Sequence, residues 1–158
     1  RNKLKIDVDP KLIKILPTAY MCNMSELQAK LVLAQLSNLE FHTDERIELS
    51  KLWYEGLCDI SEITIPRFVE DKSHMYWYFP LQYKNRKDLV CHVLQNGFDI
   101  TESYHRNCST LECFSDYKSD CPQAELTANS LIYLPTYPGY PKEQIAQIIK
   151  SIRSYFCP

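Results

Sequence analysis

The stretch Met24-Ser25-Glu26-Leu27-Gln28-Ala29-Lys30-Leu31-Val32-Leu33-Ala34-Gln35-Leu36 is the most informative part of this chain. Ser25 and Gln28 have the spacing of a capping box, in which each side chain bonds to the other residue's backbone N–H, so they predict the start of a helix. We expect this helix to cover residues 27–39 and to be apolar on nearly all sides. Such a helix needs partners on several sides. The pattern indicates an intact protein that is larger than this chain, or a dimer.

The length and composition are those of one globular domain. With 158 residues, of which 45% are hydrophobic and 24% charged, the chain can bury a real core. The net charge of −2 comes without a basic block, and no apolar stretch is long enough for a membrane span. We therefore expect no nucleic-acid partner and no membrane insertion. Because the first residue is Arg1 rather than Met, we also expect that the true start has been cut away.

The cysteines predict a reduced protein. There are seven of them at irregular spacing, and no signal peptide is visible, so a cytoplasmic location is the better interpretation. A zinc site can be read from one histidine and three cysteines: His105, Cys108, Cys113 and Cys121. Their spacing is not a standard one, so we predict no metal and keep a small metal-binding domain as the weakest alternative. Cys91 is expected to be a small buried residue on a helix face.

A second helix follows the first. Thr43 is expected to cap it, with Asp44 and Glu45 near the positive end of the helix dipole. Gly56 suits its C-terminal cap. The side chains expected to be buried are Ile47, Leu49, Leu52 and Trp53.

The remaining chain predicts strands that alternate with helices. The strand candidates are residues 4–8, 63–65, 75–83, 98–104 and 131–134, and Pro80 requires an edge position or a bulge. Besides a short helix at residues 12–16, we expect one helix capped by Asn85, one capped by Asp120 and one that begins near Pro141 and carries a stripe of isoleucines. The prediction is an α+β fold: a small, mainly antiparallel sheet with helices packed on one face, preceded by a long helix pair.

Several ordered motifs resemble one enzyme family. Residues 20–29, Tyr-Met-Cys-Asn-Met-Ser-Glu-Leu-Gln-Ala, are similar to the family's Tyr-Asn-Tyr-Arg-Met-Ser-Glu-x-Gln-Ala. Residues 121–125, Cys-Pro-Gln-Ala-Glu, match Cys-Pro-x-Ala-Glu, and residues 134–138, Leu-Pro-Thr-Tyr-Pro, resemble Leu-Pro-x-x-Pro. With these motifs, residues 17–156 resemble the C-terminal small domain of DegT/DnrJ/StrS-type pyridoxal-phosphate-dependent sugar aminotransferases, which have fold type I.

The resemblance implies a domain division and a reaction. Residues 1–23 would be a remnant of the cofactor domain, and residues 24–158 the small domain. Family members transfer an amino group from an amino-acid donor to a nucleotide-linked keto sugar, in cell-surface polysaccharide or amino-sugar biosynthesis. Their Schiff-base lysine lies upstream, in a setting that none of the early lysines has: Lys3, Lys5, Lys11 and Lys14. We therefore expect no catalytic residue and no bound cofactor in this chain alone, a missing N-terminal domain as partner, and a homodimer.

The resemblance also implies site residues. It assigns cofactor binding to Tyr20, Asn23 and Ser25. Met21 stands where the family has the asparagine that reaches the cofactor phosphate of the partner subunit, and methionine cannot donate a hydrogen bond. The alternative is therefore a non-catalytic interaction or regulatory domain derived from the same fold.

Substrate binding is assigned by the same resemblance to three consecutive residues: Tyr104, His105 and Arg106. A second group of aromatic residues, Tyr76, Tyr78 and Tyr83, can be read as a sugar platform. We favour the interpretation that these three tyrosines are packed core, with their hydroxyls at the rim.

Overall fold

The computed structural model describes residues 23–157, and the elements predicted at residues 4–8 and 12–16 lie outside them. Within this range the order is α1 (Glu26–Leu36), α2 (Leu39–Leu57), β1 (Phe79–Gln82), α3 (Arg86–Gln95), β2 (Thr101–Glu102), α4 (Pro122–Ser130), β3 (Leu131–Leu134) and α5 (Lys142–Phe156). Two short 3₁₀ segments, Cys108–Thr110 and Glu112–Tyr117, lie between β2 and α4. The helix pair followed by alternating strands and helices confirms the predicted order.

The three strands form one antiparallel sheet in the order β1-β3-β2. Pro80 lies opposite Tyr133 in the edge strand β1, which confirms its predicted edge position, because the missing N–H of proline is tolerated there. Strand β3 has the predicted bounds, Leu131–Leu134, whereas the other strands predicted within the described residues are shorter in the structure. Residues 63–65 contribute only one bridge, between Thr64 and Gln82, and β2 has two residues.

The two faces of the sheet have different roles. Alternate side chains of β1 and β3 are fully buried against α2, α3 and α5: Phe79, Leu81, Ile132 and Leu134. On α5, Ile145, Ile148 and Ile152 are fully buried, as the isoleucine stripe predicts. Tyr133 lies between two of the inward-facing residues, so its side chain points to the opposite face of the sheet.

The predicted boundaries of α2 are wrong at both ends. The helix begins at Leu39, and Thr43 lies inside it, where its Oγ1 donates to the Leu39 carbonyl over 2.8 Å. Gly56 is also inside the helix, which ends at Leu57. A Cβ at Gly56 would lie 2.5 Å from Ile149 Cδ1, so this glycine allows the close approach of α5 and does not cap the helix.

Two further expectations are wrong. The residue that precedes α4 is Cys121 rather than Asp120, with Pro122 as the first helical residue. Cys91 is exposed on α3 and not buried. Asn85 does precede α3 as predicted, and Gly97 follows the helix with φ +88°, a conformation that glycine adopts without strain.

Helix α1 starts as predicted but has no covering layer. The Ser25 Oγ accepts from the Gln28 backbone N–H over 3.3 Å, and the Ser25 N–H donates to Gln28 Oε1 over 2.8 Å. No residue of α1 is buried by the described part of the chain. Leu27, Leu31 and Leu33 are 69%, 60% and 67% exposed. Across residues 23–157, none of the helices combines the length and the apolar character that a membrane span requires.

Candidate functional site

The sheet face opposite the helices carries a cluster of aromatic side chains around Tyr133. Tyr78, just before β1, stacks on the Tyr133 ring with the centroids 4.8 Å apart. Tyr104 and His105, just after β2, lie 6.1 and 5.7 Å from the same ring. Antiparallel pairing of β2 with β3 places these residues side by side, because Ser103 N–H donates to the Leu131 carbonyl over 2.9 Å.

A hydrogen-bond network fixes the His105 imidazole. Its Nδ1 is in close contact with the Tyr133 hydroxyl and lies 3.4 Å from Ser103 Oγ. Ser103 Oγ also accepts from the His105 backbone N–H over 3.1 Å and lies 3.3 Å from the Tyr133 hydroxyl. The imidazole orientation is therefore set by two side chains that the sequence analysis did not single out.

Two of the predicted substrate residues belong to this cluster, and the third adjoins it. Tyr104 is 67% exposed, and the neighbouring Tyr78 phenol, together with partial burial, raises the pKa of Tyr104. Arg106 is exposed at a neighbouring polar cavity of about 360 Å³, which His105 also lines.

Arg86 also lines that polar cavity. Its Nε lies 3.2 Å from Glu102 Oε2, and its Nη1 donates to the carbonyls of Ala128 and Leu131. These contacts tie the start of α3 to β2 and to the end of α4. Arg86 therefore stabilises the fold at this point, whereas Arg106 presents a cation to solvent.

A second concave surface, the aromatic cavity, adjoins the other side of Tyr133. Its volume is about 300 Å³, and it is lined by residues of the sheet, of α2 and of the segment after β3: Arg46, Trp77, Tyr78, Asp99, Ile100, Thr101, Tyr133, Pro135, Thr136 and Tyr137. The Arg46 Nη1 donates to the carbonyls of Trp77 and Thr136 over 3.0 and 3.4 Å. Arg46 therefore joins α2 to two of the cavity walls.

Three tyrosines could be either packed core or a sugar platform. Two of them are packed, and the third lies at the site. Tyr76 is 1% exposed, and its hydroxyl bonds to the backbone of Val69. Tyr83 packs edge-on against Tyr155 and Phe156. These two tyrosines are packed as we favoured, whereas Tyr78 lies in the aromatic cluster of the site.

Two of the predicted cofactor residues lie at the start of α1, and the third is outside the residues that the structure describes. Tyr20 is not among the described residues, and Asn23 and Ser25 are exposed. Ser25 uses its Oγ and its N–H in the capping box. Among residues 23–157, the hydrogen bonds of Ser25 stay within the start of α1, so the cofactor role of Asn23 and Ser25 stays a prediction.

The lysines of the described region do not fit covalent attachment of a carbonyl cofactor. A Schiff-base lysine needs a lowered pKa, which burial provides. Every lysine in residues 23–157 is exposed. Adjacent carboxylates raise the pKa of three of them: Lys51 beside Glu70, Lys72 beside Asp44 and Glu40, and Lys142 beside Glu48. The reactive amine of any such cofactor site must lie elsewhere.

The candidate zinc ligands do not gather in the part of the chain whose side chains are described. No group of three or more histidine, cysteine or carboxylate side chains is placed there so that it could hold a metal ion. Cys108 and Cys121 are free thiols, and the Cys113 side chain is not described. Within that part, the thiols offer no ligand set for zinc.

Comparisons with known proteins agree with this fold. The model of the DegT/DnrJ/EryC1/StrS aminotransferase family matches residues 6–153. The dTDP-3-amino-3,4,6-trideoxy-alpha-D-glucose transaminase of Micromonospora megalomicea subsp. nigra is 22% identical over 138 residues, which cover 82% of this chain and 37% of the relative. The chain thus spans little more than a third of that relative's length.

Solved structures of sugar aminotransferase type share the fold. The crystal structure of S. venezuelae DesV, in complex with a ketimine intermediate, superimposes with a TM-score of 0.75 at 22% identity, covering 82% of this chain and 36% of DesV. NtdA from Bacillus subtilis, with the bound cofactor PMP, also gives a TM-score of 0.75, at 18% identity, over 84% of this chain and 32% of NtdA. Because the family model matches nearly the whole chain, the chain belongs to the DegT/DnrJ/EryC1/StrS aminotransferase family.

Proposed function

We propose that this chain is the C-terminal small-domain portion of a sugar aminotransferase and that it supplies substrate-binding surface to a larger enzyme. Aminotransferases of this family depend on pyridoxal phosphate, which carries the amino group during transfer. The complete enzyme would move an amino group from an amino-acid donor to a nucleotide-linked keto sugar, by analogy with the dTDP-sugar transaminase relative. The chain alone would not catalyse this reaction.

The uncovered surface of α1 carries the proposal. Three leucines of this helix are at least 60% exposed, although an apolar helix of this kind is stable in water only when other elements pack on it. A cofactor domain upstream, with residues 1–23 as its end and residues 24–158 as the small domain, would cover this surface. A homodimer could cover a part of it as well. The chain spans only a small share of its relatives' length, which supports the same interpretation.

The residues near β2 would act on the substrate by binding. His105, held by Ser103 and Tyr133, presents its remaining ring nitrogen in a fixed direction. Arg106 adds an exposed cation that suits an anionic group such as a phosphate. The described lysines do not fit the cofactor, so we assign no proton-transfer or covalent step to this chain. Tyr20, Asn23 and Ser25 remain proposed contacts to the cofactor in the assembled enzyme.

A cytoplasmic location is part of the proposal. Five cysteines whose side chains the structure describes are free thiols: Cys58, Cys91, Cys108, Cys121 and Cys157. A reducing compartment keeps such thiols unpaired.

The test compares this chain with the protein made from its complete open reading frame. We expect the longer protein to gain visible absorbance with pyridoxal phosphate and to aminate a nucleotide-linked keto sugar with glutamate as donor. Borohydride reduction followed by peptide mass spectrometry should place the cofactor on a lysine that precedes residue 1 of this chain. The chain of 158 residues should show none of these properties.

The alternative is a non-catalytic domain derived from the same fold. Met21, at a position where the family has a hydrogen-bonding asparagine, is the observation that favours it. A longer protein that binds no cofactor would support this alternative and contradict the proposed catalysis. Cofactor attachment to a lysine of the chain alone would contradict both.

A further inference from the structure

The aromatic cavity has flat walls that are open to solvent. Trp77 and Tyr137 are 67% and 54% exposed, while Tyr78 and Tyr133 form a stacked pair beside them. Aromatic faces at a concave surface bind flat rings well, because every nucleobase has a π-face that stacks on them. The shape and chemistry of these walls therefore suit a planar ligand.

The wall that carries Trp77 is held in place by buried contacts. Thr136, which is fully buried, approaches two carbonyls with its Oγ1, 2.6 Å from that of Tyr76 and 2.8 Å from that of Trp77. Tyr76 has φ +49°, a left-handed conformation that is costly for a residue other than glycine and persists only where its surroundings fix it. The backbone that carries the Trp77 ring is thus fixed before any ligand arrives.

Arg46 adds hydrogen-bond donors to the same cavity. Its bonds to the carbonyls of Trp77 and Thr136 use Nη1 alone. A guanidinium group carries five N–H donors in a rigid plane, so Nε and Nη2 bring three more to this side of α2. Such donors suit a ligand with keto oxygens.

We propose that the aromatic cavity binds the pyrimidine base of a nucleotide-linked sugar, with the base stacked on Trp77 or Tyr137 and a keto oxygen accepting from Arg46. The inference rests on the proposed function for the nucleotide-linked nature of the substrate. Two features favour the base over other parts of that substrate. A sugar ring is not flat and presents many hydroxyl donors, whereas a phosphate calls for more cations than the one arginine among the lining residues.

The test is an NMR titration of the ¹⁵N-labelled chain with thymidine, with methyl glucoside and inorganic phosphate as comparison ligands. Thymidine should cause saturable shifts at cavity residues, including the indole N–H of Trp77. The variant that removes the stacking ring, Trp77→Ala or Tyr137→Ala, should weaken thymidine binding about tenfold, since one stacking contact is lost. Tyr117→Ala is the matched control, because Tyr117 is 81% exposed and does not line the cavity.

Several outcomes would overturn the inference. They are the absence of saturable shifts with thymidine, a response of the cavity to methyl glucoside or phosphate instead, and thymidine binding that neither cavity variant weakens. The amide spectra of the variants check that each remains folded. If the longer protein aminates a keto sugar while thymidine leaves the cavity unchanged, the proposed function stands and only base binding by this cavity fails.

Discussion

The first two helices contain similar apolar residues in opposite surroundings. In α2, Trp53 and Leu57 are fully buried against the sheet and α5. In α1, Leu31 and Leu33 are more than half exposed, and no residue of that helix is buried by the described part of the chain. Burial, and hence stabilisation, depends on which partners are present and not on the residue type. Within the described residues the core is therefore built without α1, whose apolar surface we propose to be covered by a further domain.

Replacing one leucine by alanine in each helix should give the largest difference in the free energy of unfolding. Leu57→Ala should lower the free energy of unfolding by about 2–5 kcal/mol, because a fully buried leucine leaves a cavity. Leu31→Ala, at a leucine that is 60% exposed, should change it by about 0.5 kcal/mol or less. Urea denaturation of both variants measures the difference. Similar losses would show that α1 is packed as tightly as α2.

A second prediction concerns the contact between α2 and α5. Gly56→Ala should destabilise the fold by about 1–2 kcal/mol, because its Cβ would lie 2.5 Å from Ile149 Cδ1 and 2.9 Å from Cγ2. In an Ile149→Ala background the same change should instead stabilise, since alanine favours a helix over glycine by about 1 kcal/mol.

Glu55→Ala serves as the control on the exposed neighbouring position of α2. The parent chain, Gly56→Ala, Ile149→Ala and the double variant form a double-mutant cycle, which thermal and urea unfolding measure. If Gly56→Ala stabilises with Ile149 in place, the close approach of α5 does not depend on this glycine.

A tyrosine in the last turn of α5 should lose its proton only at high pH in the folded domain. The hydrogen bond with Tyr83, followed by partial burial, raises the pKa of Tyr155 from 10.0 to about 12. The folded chain therefore holds this proton more tightly than the unfolded chain. The associated stability is fully present below pH 10 and is lost as the pH rises toward 12.

The prediction is checked by measuring tyrosinate absorbance and the free energy of unfolding across this pH range. Tyr155→Phe should remove the late-titrating step and flatten the alkaline loss of stability. An unchanged profile in that variant would assign the effect to other residues.

The smallest expected effect on folding comes from making α1 polar. The double variant Leu27→Gln, Leu31→Gln changes two neighbouring exposed residues, so the free energy of unfolding should stay within about 0.5 kcal/mol of the original. Self-association, in contrast, should fall, since the exposed apolar surface shrinks. Light scattering over a range of concentrations measures it. A parent chain that is already a clean monomer at high concentration would contradict the prediction.

Much of the fold could be predicted because its signals are local. The isoleucine stripe of α5, the apolar run Leu131–Leu134 and the capping box at Ser25 each depend on residues close in sequence. The role of Gly56 could not be predicted from its neighbours in sequence, because the side chain that it accommodates, Ile149, lies on another helix. Thr43 has the residue type of a cap, but helix α2 had already started at Leu39.

The site was predictable only as far as the family resemblance reached. Tyr104, His105 and Arg106 were assigned through the resemblance, and the structure places the first two beside Tyr133. The roles of Ser103 and Tyr133 depend on the register of β2 against β3, which pairs Thr101 with Tyr133. No sequence pattern in a two-residue strand fixes such a register.

Hydrogen exchange of the chain of 158 residues, measured at a concentration where it is monomeric, tests the central claim most directly. An isolated helix of 11 residues is marginal in water, so the α1 amides should exchange almost freely while those of α2 and α5 stay protected. In the longer protein the α1 amides should become protected as well. Protection of α1 equal to that of α2 in the monomeric chain alone would contradict the claim that its apolar surface awaits a missing domain.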